Sequence, residues 1–344
     1  MNQRNVSTAA SARTAGSEGA RALSRHAFLG LAGLTAAGVL AGCSSTGASA
    51  PAPAVVSTAD PASPGNVSSF DLAGGTNGRA PTIKLNSGYE MPVAGIGVLQ
   101  LGAQECYESV TAALDAGVRL VDTAYAYRNE AQVGQAIRDS PVPREEVFVT
   151  TKLFPTQFAT AGTAIDGALE RMGLDYIDLM LLHHPGSFDI DAYHAMERAV
   201  ASGKVCSIGL SNWYNDEIDQ LIEEVSIVPA LVQNEIHPLY SEPQVIPHMH
   251  DLGIAVEAWY PLGGRGHVDQ MLADQTVVGV AQELGRTPAQ TILRWHLQRG
   301  VVAIPGSGNP DHIVENISLF DFELSETQME AIDNLNRDEK LGSW

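Results

Sequence analysis

Cysteine is scarce in this chain: 344 residues carry three, Cys43, Cys106 and Cys206. Three cannot build a disulfide framework, and no Cys/His spacing fits a zinc site. His183 and His184 are adjacent, and His248 and His250 stand two apart in a helix-like stretch, so neither pair shares a helix face. No metal centre is expected. Cys106 lies in a helix-like stretch and Cys206 in an apolar strand, where both read as small buried hydrophobes. Basic residues are scarce as well. Five basic and three acidic residues fall in 1–81, which leaves 15 basic against 37 acidic from residue 82 onward. A field of that sign repels nucleic acid and marks a solvated surface. The apolar run at 27–40 has 14 residues, too short to span a bilayer comfortably.

That run has another reading. Residues 1–25 carry four arginines and one acid, and the run matches the apolar region of a signal peptide. Leu40-Ala41-Gly42-Cys43 follows, and resembles a bacterial lipobox, which implies lipidation of Cys43 and a mature N-terminus there. Ser24-Arg25-His26-Ala27-Phe28-Leu29 resembles the twin-arginine export signal, with His26 in place of the second arginine, so the general secretory route stays open. Residues 44–81 are rich in Ser, Ala, Pro and Gly and read as a disordered tether. The expected organisation is a signal peptide over 1–43, a linker over 44–81 and one catalytic domain over 82–344. The protein is then exported and held on the outer face of the bacterial cytoplasmic membrane through Cys43 alone. The alternative is a cytoplasmic enzyme with an uncleaved leader.

From residue 82 the pattern is regular. Two short apolar runs around Asn86-Ser87-Gly88 signal a hairpin. Strand-like runs at 95–98, 118–122, 147–151, 176–182, 205–210, 230–234, 254–258 and 301–304 then alternate with amphipathic stretches at 104–116, 129–139, 160–172, 190–202, 215–224, 242–251, 274–298 and 310–318. Eight strand–helix units in about this length are the count of a (β/α)8 TIM barrel. No G-x-G-x-x-G follows the first strand, which weakens the doubly wound alternative. Thr287-Pro288 inside 274–298 divides that stretch into two helices, and Ser325 with Gln328 has the spacing of a capping box for a last helix at 325–335.

Four residues fall near the ends of successive strands: Asp122 and Tyr127 in DTAYAYRNE, Lys152 in TTKLF and His183 in LLHHP. In a barrel of parallel strands those ends share one rim. A phenol can hand a proton to a developing alkoxide if a nearby ammonium lowers its pKa. Tyr127 is therefore read as the general acid, Lys152 as its tuner, Asp122 as the partner of Lys152, and His183 as a second donor in a carbonyl pocket.

These motifs, with IGLSNW (208–213), VQNEIHP (232–238) and EAWYPLGGRG (257–266), resemble the aldo-keto reductase family over residues 82–336, and IPGSGNPDHIVEN (304–316) fits more loosely. The resemblance implies reversible reduction of aldehydes or ketones with NADPH or NADH, usually by a monomer. It places Asp122, Tyr127, Lys152 and His183 on the family's catalytic tetrad. It implies that Ser211, Asn212 and Gln233 bind the nicotinamide carboxamide, that Trp259 stacks on the ring, and that Ser307, Glu315 and Asn316 meet the adenosine. Leu99, Tyr125, Phe154, His184 and Trp213 are candidate pocket lining. The family's cations for the 2′-phosphate of NADPH are replaced by Gly306 and His312, which implies that NADH competes or is favoured. A reading from another class keeps the barrel as a nicotinamide-binding redox sensor or binding module without turnover; the intact tetrad argues against it.

Overall fold

A computed structural model describes residues 67–75 and 78–342. The leader, Cys43 and the tether as far as residue 66 lie outside the described residues. The last part of the expected tether is packed rather than free. Val67 and Leu72 are buried and Phe70 packs on the same core, since these are the large apolar side chains of an otherwise small and polar segment. A one-turn 3-10 helix at Leu72–Gly74 is capped by Asp71, which accepts from the Ala73 amide at 3.1 Å. Arg79 adds an exposed ion pair to Glu146 at 2.6 Å.

Strands β1 (Thr82–Lys84) and β2 (Glu90–Pro92) form the expected hairpin, with Ile83 opposite Met91. Its turn packs against one end of the barrel. Asn86 donates to the Pro229 carbonyl at 2.9 Å, and the hydroxyls of Ser87 and Ser207 lie 2.7 Å apart. Both contacts fall where strands begin, so the opposite, C-terminal end stays open.

Eight parallel strands follow in chain order: β3 (Ile96–Gly97), β4 (Leu120–Asp122), β5 (Phe148–Leu153), β6 (Ile177–Leu182), β7 (Val205–Ser211), β8 (Leu231–Glu235), β9 (Ala255–Trp259) and β10 (Val301–Ala303). Backbone bonds close the sheet on itself. The Ala303 amide donates to the Val93 carbonyl (3.2 Å), the Gly95 amide to the Ala303 carbonyl (3.0 Å) and the Gly97 amide to the Pro305 carbonyl (3.3 Å). Every residue of β5, β7, β8 and β9 is buried, as strands covered on both faces must be. Polar residues in these strands are therefore costly unless paired.

Helices α1 (Ala103–Asp115), α2 (Glu130–Asp139), α3 (Ala161–Met172), α4 (Asp189–Ala201), α5 (Asn215–Glu224) and α6 (Val245–Asp251) alternate with the strands. α7 (Val268–Leu272), α8 (Gln275–Leu284), α9 (Pro288–Gln298), α10 (Pro310–Ile317) and α11 (Glu326–Asp333) complete the order. The long stretch from 274 divides as its sequence predicts. Gly285, at φ +63°, ends α8. Thr287 and Gln290 cap α9 reciprocally, each side chain 3.2 Å from the other's amide, with Pro288 in the first turn. The sequence reading does not mark α7. Gly134 lets α2 lie against α3, because a Cβ there would come 1.9 Å from the Met172 carbonyl oxygen.

Candidate active site

The open end gathers the four residues. Asp122 closes β4, Lys152 is next to last in β5, and His183 directly follows β6. Tyr127 ends a 3-10 turn, Tyr125–Tyr127, which Arg128 terminates at φ +58°. The residues after Tyr127 hold that turn in place. Asn129 donates to the Val98 carbonyl (2.9 Å) and accepts from the Thr123 hydroxyl (2.8 Å). Buried Glu130 accepts from the Thr151 hydroxyl and from Arg171 Nε, both at 2.7 Å. The motif thus spends its polar residues on fixing the phenol.

Lys152 Nζ donates to both Asp122 carboxylate oxygens (2.6 and 2.7 Å), to the Thr123 carbonyl (2.9 Å) and to the Tyr127 hydroxyl (3.4 Å). Lys152 and Asp122 are almost wholly buried. Burial alone would depress the Lys152 ammonium, but Asp122 and Tyr127 outweigh it and raise its pKa, so the charge is kept. Burial raises the Asp122 carboxyl, and the ammonium together with the Gln233 amide opposes that by donating to it. Tyr127 departs from the sequence-based expectation. Lys152 does pull its pKa down, yet burial, with a smaller contribution from Asp122, pushes the phenol up to about 12. The hydroxyl therefore carries its proton throughout the neutral range, as a proton donor must.

His183 lies edge-on to Tyr127, ring centroids 5.6 Å apart, and stacks on His184 at 4.6 Å with 12° between planes. Phe154 meets both imidazoles edge-on at 5.9 Å. Burial, then the Lys152 and His184 charges, push His183 down to about 2, so it is neutral. Its Nδ1 is buried without a hydrogen-bond partner. A buried orphan acceptor is more tolerable than an orphan N–H, which favours the tautomer with the proton on Nε2.

Glu257, which the sequence reading passes over, joins this cluster through Gln233. Gln233 Nε2 donates to Asp122 Oδ2 at 2.9 Å and to Glu257 Oε1. Glu257 is fully buried in β9, and burial, then Asp122, raise its carboxyl to about 8. The signal was present in the sequence as one carboxylate inside the apolar run of β9. The two donated N–H groups fix the Gln233 amide and leave its oxygen for an incoming donor.

A cavity of about 290 Å³ opens beside the cluster, lined by Leu99, Asp122, Tyr127, Trp259, Tyr260, Arg265 and residues 304–308, among others. Trp259 ends β9, and Asn212 orients its indole by accepting from Nε1 at 3.0 Å. Asn212 sits at φ +63° and donates to the His183 carbonyl (2.9 Å) and to Ser211 Oγ (3.1 Å), so its amide already ties three parts of the rim together. Gly264 permits the loop after β9 to fold over Tyr260, since a Cβ there would come 2.4 Å from that ring. Residues 341–342 reach the same mouth, where their amides donate to Glu235 Oε1 at 2.5 and 2.9 Å.

Ser307 lines the cavity, while Glu315 and Asn316 lie on α10 outside its lining; Glu315 accepts from the Thr287 hydroxyl at 2.5 Å. Of the expected pocket residues, Leu99 lines the cavity, and Phe154 and His184 cluster on His183. Trp213 is buried, with its indole N–H unpartnered. Tyr125 is exposed, with the Arg171 guanidinium 5.0 Å from its ring centre.

The donor set suits a nicotinamide dinucleotide: a flat indole for the ring, an amide oxygen for the carboxamide, and an adjoining cavity that runs to the 304–308 loop. A closed (β/α)8 barrel with this cluster at its C-terminal rim has the organisation of an enzyme. The model of the Aldo/keto reductase family matches residues 94–337. The chain is 42% identical over 279 residues to morphine 6-dehydrogenase of Pseudomonas putida, covering 77% of this chain and 94% of that protein. It is 40% identical over 265 residues to glyoxal reductase of Bacillus subtilis (strain 168), covering 76% and 95%. An aldo-keto reductase of Bombyx mori solved in complex with NADP superposes with a TM-score of 0.72 at 32% identity, covering 77% of this chain and 95% of that one. The chain belongs to the aldo/keto reductase family, and it is an NAD(P)H-dependent oxidoreductase with the (β/α)8 fold.

Proposed function

We propose that this oxidoreductase reduces aldehydes or ketones to alcohols, reversibly, with Tyr127 as general acid. The observation that carries the reading is Lys152 Nζ, buried with the Asp122 carboxylate and set between it and the half-buried Tyr127 hydroxyl. A bound reduced nicotinamide supplies the hydride. Tyr127 supplies the proton to the alkoxide as it forms, and the ammonium at 3.4 Å stabilises the phenolate left behind. Neutral His183, with its proton on Nε2, orients the substrate oxygen toward Tyr127. Phe154 and His184, packed on the His183 imidazole, give the substrate side an aromatic character that favours hydrophobic carbonyl compounds. The relatives named for glyoxal and morphine support a carbonyl or alcohol substrate class.

Trp259, Gln233, Ser211 and Asn212 hold the nicotinamide end, Asn212 acting through the Trp259 indole as well. Ser307, Glu315 and Asn316 serve the adenosine end. Gly306 and His312 supply no permanent cation there, so NADH competes with NADPH. The enzyme works as a monomer on the outer face of the bacterial cytoplasmic membrane, held through lipidated Cys43 and the tether that follows. Mass spectrometry of the membrane fraction is expected to find a mature chain starting at lipidated Cys43; an intact Met1 contradicts export.

The test of the activity is turnover of the full chain with NADPH and with NADH against glyoxal, an aromatic aldehyde and a cyclic ketone. Consumption of reduced cofactor with stoichiometric alcohol is expected. Tight cofactor binding without turnover of any of the three would contradict the reading.

A further inference from the structure

The groove beside the tetrad is electrically uneven along its length. At its inner end Asp122 is buried and neutralised by Lys152. Along it, Arg265 supplies the one Lys or Arg side chain among the described lining residues, and Nη2 donates to the Gln100 carbonyl at 3.2 Å. At the outer end stands Glu105, exposed in the first turn of α1. Its carboxylate lies on the 306–308 loop: a Cβ at Gly308 would come 2.3 Å from Glu105 Oε1. The one Lys or Arg among the described lining residues, Arg265, is held at the Gln100 carbonyl instead.

On the reading that a nicotinamide dinucleotide lies in this groove with its ring at Trp259, we propose that Glu105 is a specificity-determining residue that selects NADH over NADPH. The bridging pyrophosphate meets Arg265, and the adenosine ribose comes to the outer end. There a carboxylate accepts hydrogen bonds from a free ribose diol and repels a 2′-phosphate. The Gly306–Gly308 backbone carries no side chain to separate the two groups except Ser307. Arg265 acts on both cofactors alike, because both carry the pyrophosphate, whereas Glu105 distinguishes them.

The experiment is a titration of the full-length protein and its variants with NADH and NADPH, followed by tryptophan quenching, with AMP and 2′-AMP as competitors. Wild type is expected to bind NADH more tightly. Glu105→Gln, an exposed substitution that keeps the side-chain shape, should tighten NADPH about tenfold and leave NADH within a few-fold, the size expected of one carboxylate facing a phosphate across water. Glu105→Lys should move the ratio further and make 2′-AMP the better competitor. Arg265→Ala should weaken both cofactors by similar factors. An unchanged NADH/NADPH ratio in both Glu105 variants, with binding retained, overturns the proposal and leaves the cofactor reading standing. No binding of either cofactor to wild type overturns both.

Discussion

The inner and outer ends of the same groove are built on opposite physical terms. At the inner end polar groups are buried and tied to one another: Lys152 by Asp122 and the Thr123 carbonyl, Asp122 by Lys152 and Gln233, and one oxygen of the Glu257 carboxyl by Gln233. Such a cluster is rigid because any loosened member would be left as an uncompensated polar group in a dry barrel. At the outer end Glu105 and the 306–308 loop stand in water on surface elements. Charge there acts on what approaches, at the strength that water permits. On the proposed reading, chemistry is placed where the fold cannot give, and cofactor choice where one exposed side chain can change it without disturbing the core.

The sharpest way to break this comparison is to unbalance the inner end. Asp122→Leu leaves the Lys152 ammonium buried without its carboxylate, and should destabilise the domain by about 3–5 kcal/mol, read as a lowered denaturant midpoint. If Asp122→Leu unfolds at the wild-type midpoint, the cluster is not dry. Lys152→Met removes the charge that stabilises the Tyr127 phenolate, and should lower kcat about 10²–10⁴-fold in a chain that still folds. A loss confined to KM would instead assign Lys152 to binding.

Two pH effects of opposite sign come next. The Glu257 carboxyl lies at about 8 in the folded chain against an ordinary 4.5. Between those values the folded state holds a proton that the unfolded state has released, so stability falls as pH rises through that window. Glu257→Gln should flatten the fall, which thermal unfolding across the window would show; an unaltered slope would mean that Glu257 is solvated. His183, pushed down to about 2 from an ordinary 6.5, has the reverse effect. Its contribution is fully present above pH 6.5 and is lost on acidification, because the unfolded chain takes up a proton that the folded site refuses. His183→Asn should make the protein less acid-sensitive below that pH. At the outer end the same comparison predicts the smallest change: Glu105→Gln should leave the unfolding midpoint within about 0.5 kcal/mol while shifting cofactor preference.

Much of this was legible beforehand for identifiable reasons. Buried parallel strands are short apolar runs, so the alternation gave the barrel, and the active residues punctuate the ends of those runs. Thr287-Pro288 divided two helices because capping chemistry is local. Less legible were features that depend on three-dimensional neighbours. Gln233 bridges two carboxylates from strands far apart in the chain. Asn212 fastens the Trp259 indole from a different strand end. The phenol of Tyr127 rises rather than falls because burial outweighs the ammonium, a balance that spacing along the sequence does not express. Val67, Phe70 and Leu72 look like part of a tether until the barrel offers them a surface.

The central claim is that Tyr127 delivers the proton. It is tested most directly with Tyr127→Phe, by measuring cofactor affinity and single-turnover reduction of an aldehyde in the same preparation. The account predicts cofactor affinity within about threefold of wild type and reduction slowed by at least about 10². Reduction at a near-wild-type rate, with cofactor bound normally, would contradict it.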